Sequence, residues 1–120
     1  VISNVTFESK RPVWNNILMA GDASGSIAPL CGNGMSMAFR GANILSGLLI
    51  QFLEGKIDRQ NLNKNYAKQW QNNFERRIKA GFYLQKLFGR NLLTNIAIST
   101  LRYLPFISKK LIKLTHGDKF

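Results

Sequence analysis

The hydrophobic pattern of this chain runs as strand, gap, long helix and striped helix. Ile17 to Ala20 is an unbroken apolar run of strand length, and it stops at Gly21-Asp22, a small and acidic pair of the kind that ends strands. Between Ala23 and Gly34 the pattern dissolves into glycines, serines and one proline. That is the composition of a loop that turns sharply and lets another group approach its backbone closely. From about Asn33 to Glu54 apolar residues fall on nearly every side of a helical wheel, among them Met35, Met37, Phe39, Ile44, Leu48, Phe52 and Leu53, which predicts one long helix packed on most sides. Gly55 stands where a glycine ends such a helix, and Asp58 is placed to cap the next one. Leu62, Tyr66, Trp70, Phe74, Ile78 and Phe82 then recur every four residues with basic residues between them. Such a stripe drifts around its helix and wraps over a neighbour, so it reads as packing.

The flanks are less regular. Val1 to Val13 alternates weakly and reads as the last piece of an upstream sheet, Trp14 as a packed aromatic and Asn15-Asn16 as a turn. After Gly89 a third helix is predicted over Asn91 to Tyr103, with a break at Pro105 and an amphipathic segment from Phe106 to Leu114. The whole is mostly helical around one central strand. Its sheet partners would lie upstream, leaving apolar surface around Met19 and Ile44 uncovered in this chain alone.

Charge divides the chain in two. All of the net +11 lies after Gly55, where fourteen Lys and Arg face only Asp58, Glu75 and Asp118. A basic helical region suits anionic lipid, an acidic protein or nucleic acid. The Asn-, Ile- and Phe-rich composition of proteins from AT-rich genomes accounts for the excess without any partner. The single cysteine, Cys31, excludes an intrachain disulfide and fits a reducing cytoplasm. It is also the one potentially reactive side chain, because a thiol near a helix N-terminus tends towards a lower pKa, although a plain loop cysteine is the simpler reading. The longest apolar stretch, Ile44 to Leu53, contains Ser46, Gly47 and Gln51 and falls short of the roughly 20 residues that span a bilayer. No metal-ligand cluster or Ser-His-Asp spacing is present, and His116 stands alone.

A glycine-rich turn from a strand into a helix has chemical meaning of its own. The helix N-terminus offers unpaired N–H groups and partial positive charge to an electron-rich ligand, and a carboxylate at the end of the strand, Asp22, can accept hydrogen bonds from ligand hydroxyls. A helix cap followed by a core helix is the structural alternative.

The string Gly21-Asp22-Ala23-Ser24-Gly25, Pro29, Gly32-x-Gly34 and Ala38 closely resembles the second flavin-binding motif of FAD-dependent oxidoreductases related to geranylgeranyl reductases and aromatic hydroxylases. The match spans about 18 residues, far more specific than a lone glycine fingerprint. The resemblance implies a glutathione-reductase-like α/β FAD-binding fold, with residues 1–56 as the C-terminal part of the FAD domain and residues 57–120 as a basic helical region. It implies that Gly21 belongs to the cofactor-binding set, that Asp22 meets a ribityl hydroxyl, that Pro29 lies beside the flavin ring, and that the backbone of Gly32, Asn33, Gly34, Met35 and Ser36 meets the pyrimidine carbonyl. A helix N-terminus there would favour flavin reduction.

Aromatic hydroxylases usually carry histidine where this chain has Gly25, which inclines the reading to the reductase branch. Asn33 and Ser36 depart from the reductase and hydroxylase patterns respectively. The first dinucleotide fingerprint, G-x-G-x-x-G after a strand, does not occur here, so the ADP half of the cofactor is expected on another part of a longer flavoprotein. A hydrophobic substrate such as an isoprenoid or polyketide-like molecule is expected, with NAD(P)H as a candidate electron donor and no catalytic side chain identified. The competing expectation is a non-catalytic basic module. Its partner would be a membrane surface, with nucleic acid disfavoured. A cytoplasmic protein, peripheral at the membrane, satisfies both.

Overall fold

Asn15 and Asn16 take positive φ angles of 45° and 62°, the backbone of a type I′ turn, which matches the twist of the strands that it joins. Strand β1 (Val13–Trp14) therefore pairs antiparallel with β2 (Ile17–Leu18), Val13 opposite Leu18 and Trp14 opposite Ile17. In this computed structural model the described residues are 10–88 together with Ser99, Tyr103, Phe106, Lys109 and Ile112, each of the last five helical. The expected strand before residue 10, and the rest of the elements expected after Phe88, lie outside them.

The strand expected over Ile17–Ala20 is shorter than the apolar run because only the hairpin supplies it with a partner. The next rung is only half made: Met19 N–H donates to the Pro12 carbonyl at 2.8 Å, but proline has no N–H to return, and the Met19 carbonyl accepts from the Tyr66 hydroxyl at 2.5 Å instead. Trp14 is not packed, as its position suggested. It is 51% exposed, with the Arg11 guanidinium 5.5 Å above its ring.

Two short 3₁₀ turns, Gly21–Ala23 and Pro29–Cys31, carry the loop to α1 (Gly34–Leu53). That helix is unbroken and ends as its sequence demands. Gly55 has φ 72° and donates to the Phe52 carbonyl at 3.0 Å, while Lys56 N–H reaches the Gln51 carbonyl at 2.9 Å, a Schellman closure. Asp58 then caps α2 (Arg59–Trp70), its Oδ1 accepting from Asn61 N–H at 2.6 Å.

The four-residue stripe is straightened by a change of helix type. A repeat of four advances about 40° per step on an α-helix, so the five steps from Leu62 to Phe82 would carry it roughly 200° around the axis. Between α2 and α3 (Arg76–Phe88) lies a π-helical turn, Gln71–Glu75, which takes more residues per revolution and lets the phase fall back. Leu62, Tyr66, Trp70, Phe74 and Ile78 consequently all face one way, each no more than 2% exposed. Trp70 and Phe74 meet edge to face, with centroids 5.7 Å apart.

These residues form one core with Ile27 and Cys31 of the loop and Met37 and Leu48 of α1. Both halves of the chain contribute to it. Helix α1 is packed on one side only, through Met37, Gly41 and Leu48, whereas packing on most sides was expected. Its opposite face, with Met35, Phe39, Ile50 and Leu53, is exposed. The uncovered apolar surface therefore lies there and not around Met19 and Ile44, which are half-buried, Ile44 against the core. Among the described residues no helix is long and apolar enough to cross a membrane.

Tyr66 supplies a test of this packing. Burial pushes its phenol pKa up, so folding favours the protonated form. That stabilisation is complete below the unfolded tyrosine pKa of about 10 and is lost as pH rises through the higher folded value. Tyr66→Phe removes the bond to Met19 and should lower unfolding free energy by about 1–2 kcal/mol at neutral pH. Urea denaturation should show that loss with unchanged m, and the difference between variant and parent should shrink above pH 10.

Candidate functional site

The glycine-rich loop has two faces, and its sequence alternates between them. Ser24, Gly25, Ile27, Ala28 and Cys31 are buried, whereas Asp22, Pro29, Gly32, Gly34 and Met35 are exposed. The inward set docks on the aromatic stripe. Trp70 Nε1–H donates to Ser24 Oγ at 3.0 Å, and the Ser24 hydroxyl donates to the Gly21 carbonyl at 2.7 Å. A Cβ on Gly25 would stand 3.1 Å from both Trp70 and Ile78, with φ at 149°, so no side chain fits there. Packing alone thus accounts for Gly25, the position whose glycine inclined the resemblance to one branch. Further along, a Cβ on Gly81 would lie 3.0 Å from Ile27 and 3.1 Å from Cys31, which brings α3 close against the loop.

Helix α2 also holds the hairpin that leads into the loop. The Arg59 guanidinium donates to the Asn16 carbonyl, and Asn63 Nδ2 donates to Asn16 Oδ1 at 2.7 Å. Arg59, Asn63, Tyr66 and Trp70 follow one another at spacings of four, three and four, a single helix face, and hold Asn16, Met19 and Ser24 in chain order.

Ser24 and Gly25 of the flavin-like string lie on the inward side, whereas the residues to which the resemblance assigns cofactor contacts are half-buried or exposed. Gly21, Asn33 and Ser36 are half-buried, and Asp22, Pro29, Gly32, Gly34 and Met35 are exposed, Met35 to 79%. Gly21, Asp22 and Gly34 meet around one crevice, closed at its base by Met37, Gly41, Trp70 and Phe74. Its enclosed space of about 10 Å³ suits a single water, so a ring-sized ligand would lie on the outer face and not inside.

The α1 N-terminus is open in two senses. Asn33, its N-cap residue, makes no side-chain capping hydrogen bond, although its carbonyl accepts from Met37 N–H at 3.1 Å and from the Ser36 hydroxyl at 3.1 Å. First-turn N–H groups without a side-chain cap are available to an external acceptor. A Cβ on Gly32 or Gly34 would meet nothing within 4 Å. Gly32 needs its glycine for φ 65°, but Gly34 has neither a positive φ nor a crowded neighbour. Glycine in a helix is the less stable choice, and Gly47 within α1 shares with Gly34 the absence of a crowded neighbour.

Cys31 does not fit the reactive reading. It is buried beneath α3, and desolvation pushes its thiol pKa up, which favours the inert protonated form. Among the described residues no three His, Cys, Asp or Glu side chains come together as metal ligands.

Ser24 and Trp70 were missed as site residues by sequence reasoning. The available signal was the pairing of Tyr66 and Trp70 within an otherwise apolar stripe, since buried O–H and N–H groups require partners.

The chain is similar to the uncharacterized protein MJ1520 of Methanocaldococcus jannaschii, at 30% identity over 109 residues. The match covers 87% of this chain and 26% of that protein, so the chain spans about a quarter of its relative's length. No described protein family matches the chain, and no solved structure does.

The two glycines on opposite faces should respond oppositely. Gly25→Ala should destabilise the fold by about 1–3 kcal/mol through overpacking and backbone strain. Gly34→Ala should leave stability unchanged or raise it by up to about 1 kcal/mol. Paired urea titrations of the two variants measure both effects.

Proposed function

We propose that this chain is the flavin-ring-binding part of an FAD-dependent oxidoreductase, of the reductase or monooxygenase type, acting on a hydrophobic substrate within a longer protein. The observation that carries this reading is the division of the loop into two faces. Every residue used for packing points inward. Asp22, Pro29, Gly32, Gly34 and Met35 remain on the outer side, where the backbone of Gly32 and Gly34 is open to approach.

The residues present fit the group. The Asp22 carboxylate would accept from a ribityl hydroxyl, and the uncapped N–H groups from Gly34 through Ser36 would donate to flavin carbonyl oxygens. FAD, when bound, supplies the hydride and electron transfer, and NAD(P)H is a candidate source of reducing equivalents. The protein's share is to bind, orient and exclude water. Met35 and Phe39 extend the open site with apolar surface, which suits a hydrophobic substrate. The ADP half of the cofactor and the substrate pocket are assigned to other regions of the longer protein.

In the full-length protein Asp22→Ala should weaken FAD binding by about 1.5–3 kcal/mol, through loss of a charge-assisted hydrogen bond. Flavin content after gel filtration measures it. Retention equal to that of the parent would count against the assignment.

A second reading, peripheral contact with a membrane by a basic module in the cytoplasm, has one observation in its favour. Lys64, Lys68, Arg76 and Lys86 are all exposed along α2 and α3, where the acidic Glu75 pairs with Lys79 at 2.7 Å. Each basic residue near an anionic surface contributes about 1 kcal/mol, screened over roughly 8–10 Å at physiological salt. Replacing Lys64, Lys68 and Arg76 by Gln should reduce sedimentation with anionic vesicles at low salt and leave behaviour with neutral vesicles unchanged. Equal sedimentation of variant and parent would remove the membrane from the account.

A further inference from the structure

Among the described residues no side chain holds the Asp22 carboxylate, so its position is set by the turn that carries it. That turn is closed at a single acceptor. The Gly21 carbonyl receives both the Ser24 N–H, at 3.0 Å, and the Ser24 hydroxyl, at 2.7 Å. Having given its one proton to Gly21, the hydroxyl has lone pairs left, and the Trp70 N–H occupies one of them at 3.0 Å. Ser24 and Trp70 are each only 2% exposed, so water does not compete for either bond. The indole ring edge also abuts Gly25, immediately after Ser24.

We infer that Trp70 is a positioning residue for Asp22, acting through Ser24 and the Gly21 carbonyl. The inference rests on the flavin reading for the identity of the ligand, but the relay itself stands on hydrogen bonds within the chain. The aromatic stripe then does more than fill the core: its one N–H donor fixes the rotamer of Ser24, which fixes the turn and so the direction of the carboxylate. Without that donor the Ser24 hydroxyl is free to turn away from Gly21, and Asp22 moves with the loosened turn.

The test uses the full-length protein with Trp70→Phe, which keeps an aromatic ring and deletes the donor, and Ser24→Ala, which keeps the indole and deletes the relay. Tyr66→Phe serves as control, because it removes a bond from the same helix to Met19, outside the turn. Amide hydrogen exchange at Ser24, whose N–H closes the turn on the Gly21 carbonyl, should accelerate about tenfold in the first two variants and stay unchanged in the control. Unchanged exchange in Trp70→Phe and Ser24→Ala overturns the proposal, whatever the ligand. FAD binding adds a readout that a merely structural role would not move. Trp70→Phe should weaken it about tenfold in the parent but less than threefold in an Asp22→Ala background, while Tyr66→Phe should have equal effects in both. Equal effects of Trp70→Phe in both backgrounds overturn the positioning role. Should the parent bind no FAD while exchange still accelerates, the flavin reading falls and the relay stands.

Discussion

The structure depends on the docking of one aromatic stripe onto one glycine-rich loop. Loops of this composition are ordinarily mobile, because glycine gives up much conformational freedom on folding and small side chains offer little to pack. Here the loop is held from behind by the Trp70 hydrogen bond to Ser24 and by contacts of Trp70 and Ile78 with Gly25, while Arg59, Asn63 and Tyr66 of the same helix face hold the hairpin turn and Met19 that lead into it. The π turn at Gln71–Glu75 is part of this arrangement. It keeps Phe74 and Ile78 in line with Leu62 and Tyr66, so the stripe remains straight long enough to meet the whole loop.

Rigidity on one face prepares the other. A ligand-binding loop that is ordered before the ligand arrives loses less entropy on binding, and a backbone fixed from behind can present N–H groups and a carboxylate at set positions. The inner face uses serine and glycine because the indole and Ile78 leave no room for more. The outer face uses glycine at 34, where there is ample room. Within ten positions, then, the packing of this chain requires glycine at 25 and leaves room for a side chain at 34. Helix α1 repeats the theme, with Met37, Gly41 and Leu48 covered and Met35, Phe39, Ile50 and Leu53 open.

Much of this was legible in the residues. Asn15-Asn16 specified the hairpin turn, Gly55 and Asp58 the boundary between α1 and α2, and the repeat from Leu62 to Ile78 the buried stripe. What the stripe covers was not legible, because a four-residue repeat specifies a face and not its partner, and the π turn that straightens it has no residue signature of its own. Trp14 and the outer side of α1 were misread for a related reason. Apolar character shows that a residue tolerates burial, not that this chain buries it. The flavin motif was legible as a pattern of residue types, but its division into an inner and an outer face needed coordinates.

The central claim is that the outer face of the loop, and not the stripe or the exposed side of α1, meets the flavin. Glycine-selective ¹⁵N labelling of the full-length protein tests it most directly, because the glycines sample every surface in question. On addition of FAD the account predicts that the amide signals of Gly21, Gly32 and Gly34 move, while those of Gly47, Gly55 and Gly81 stay in place. Shifts confined to the second group, or no shift at any of them at saturating FAD, would contradict it.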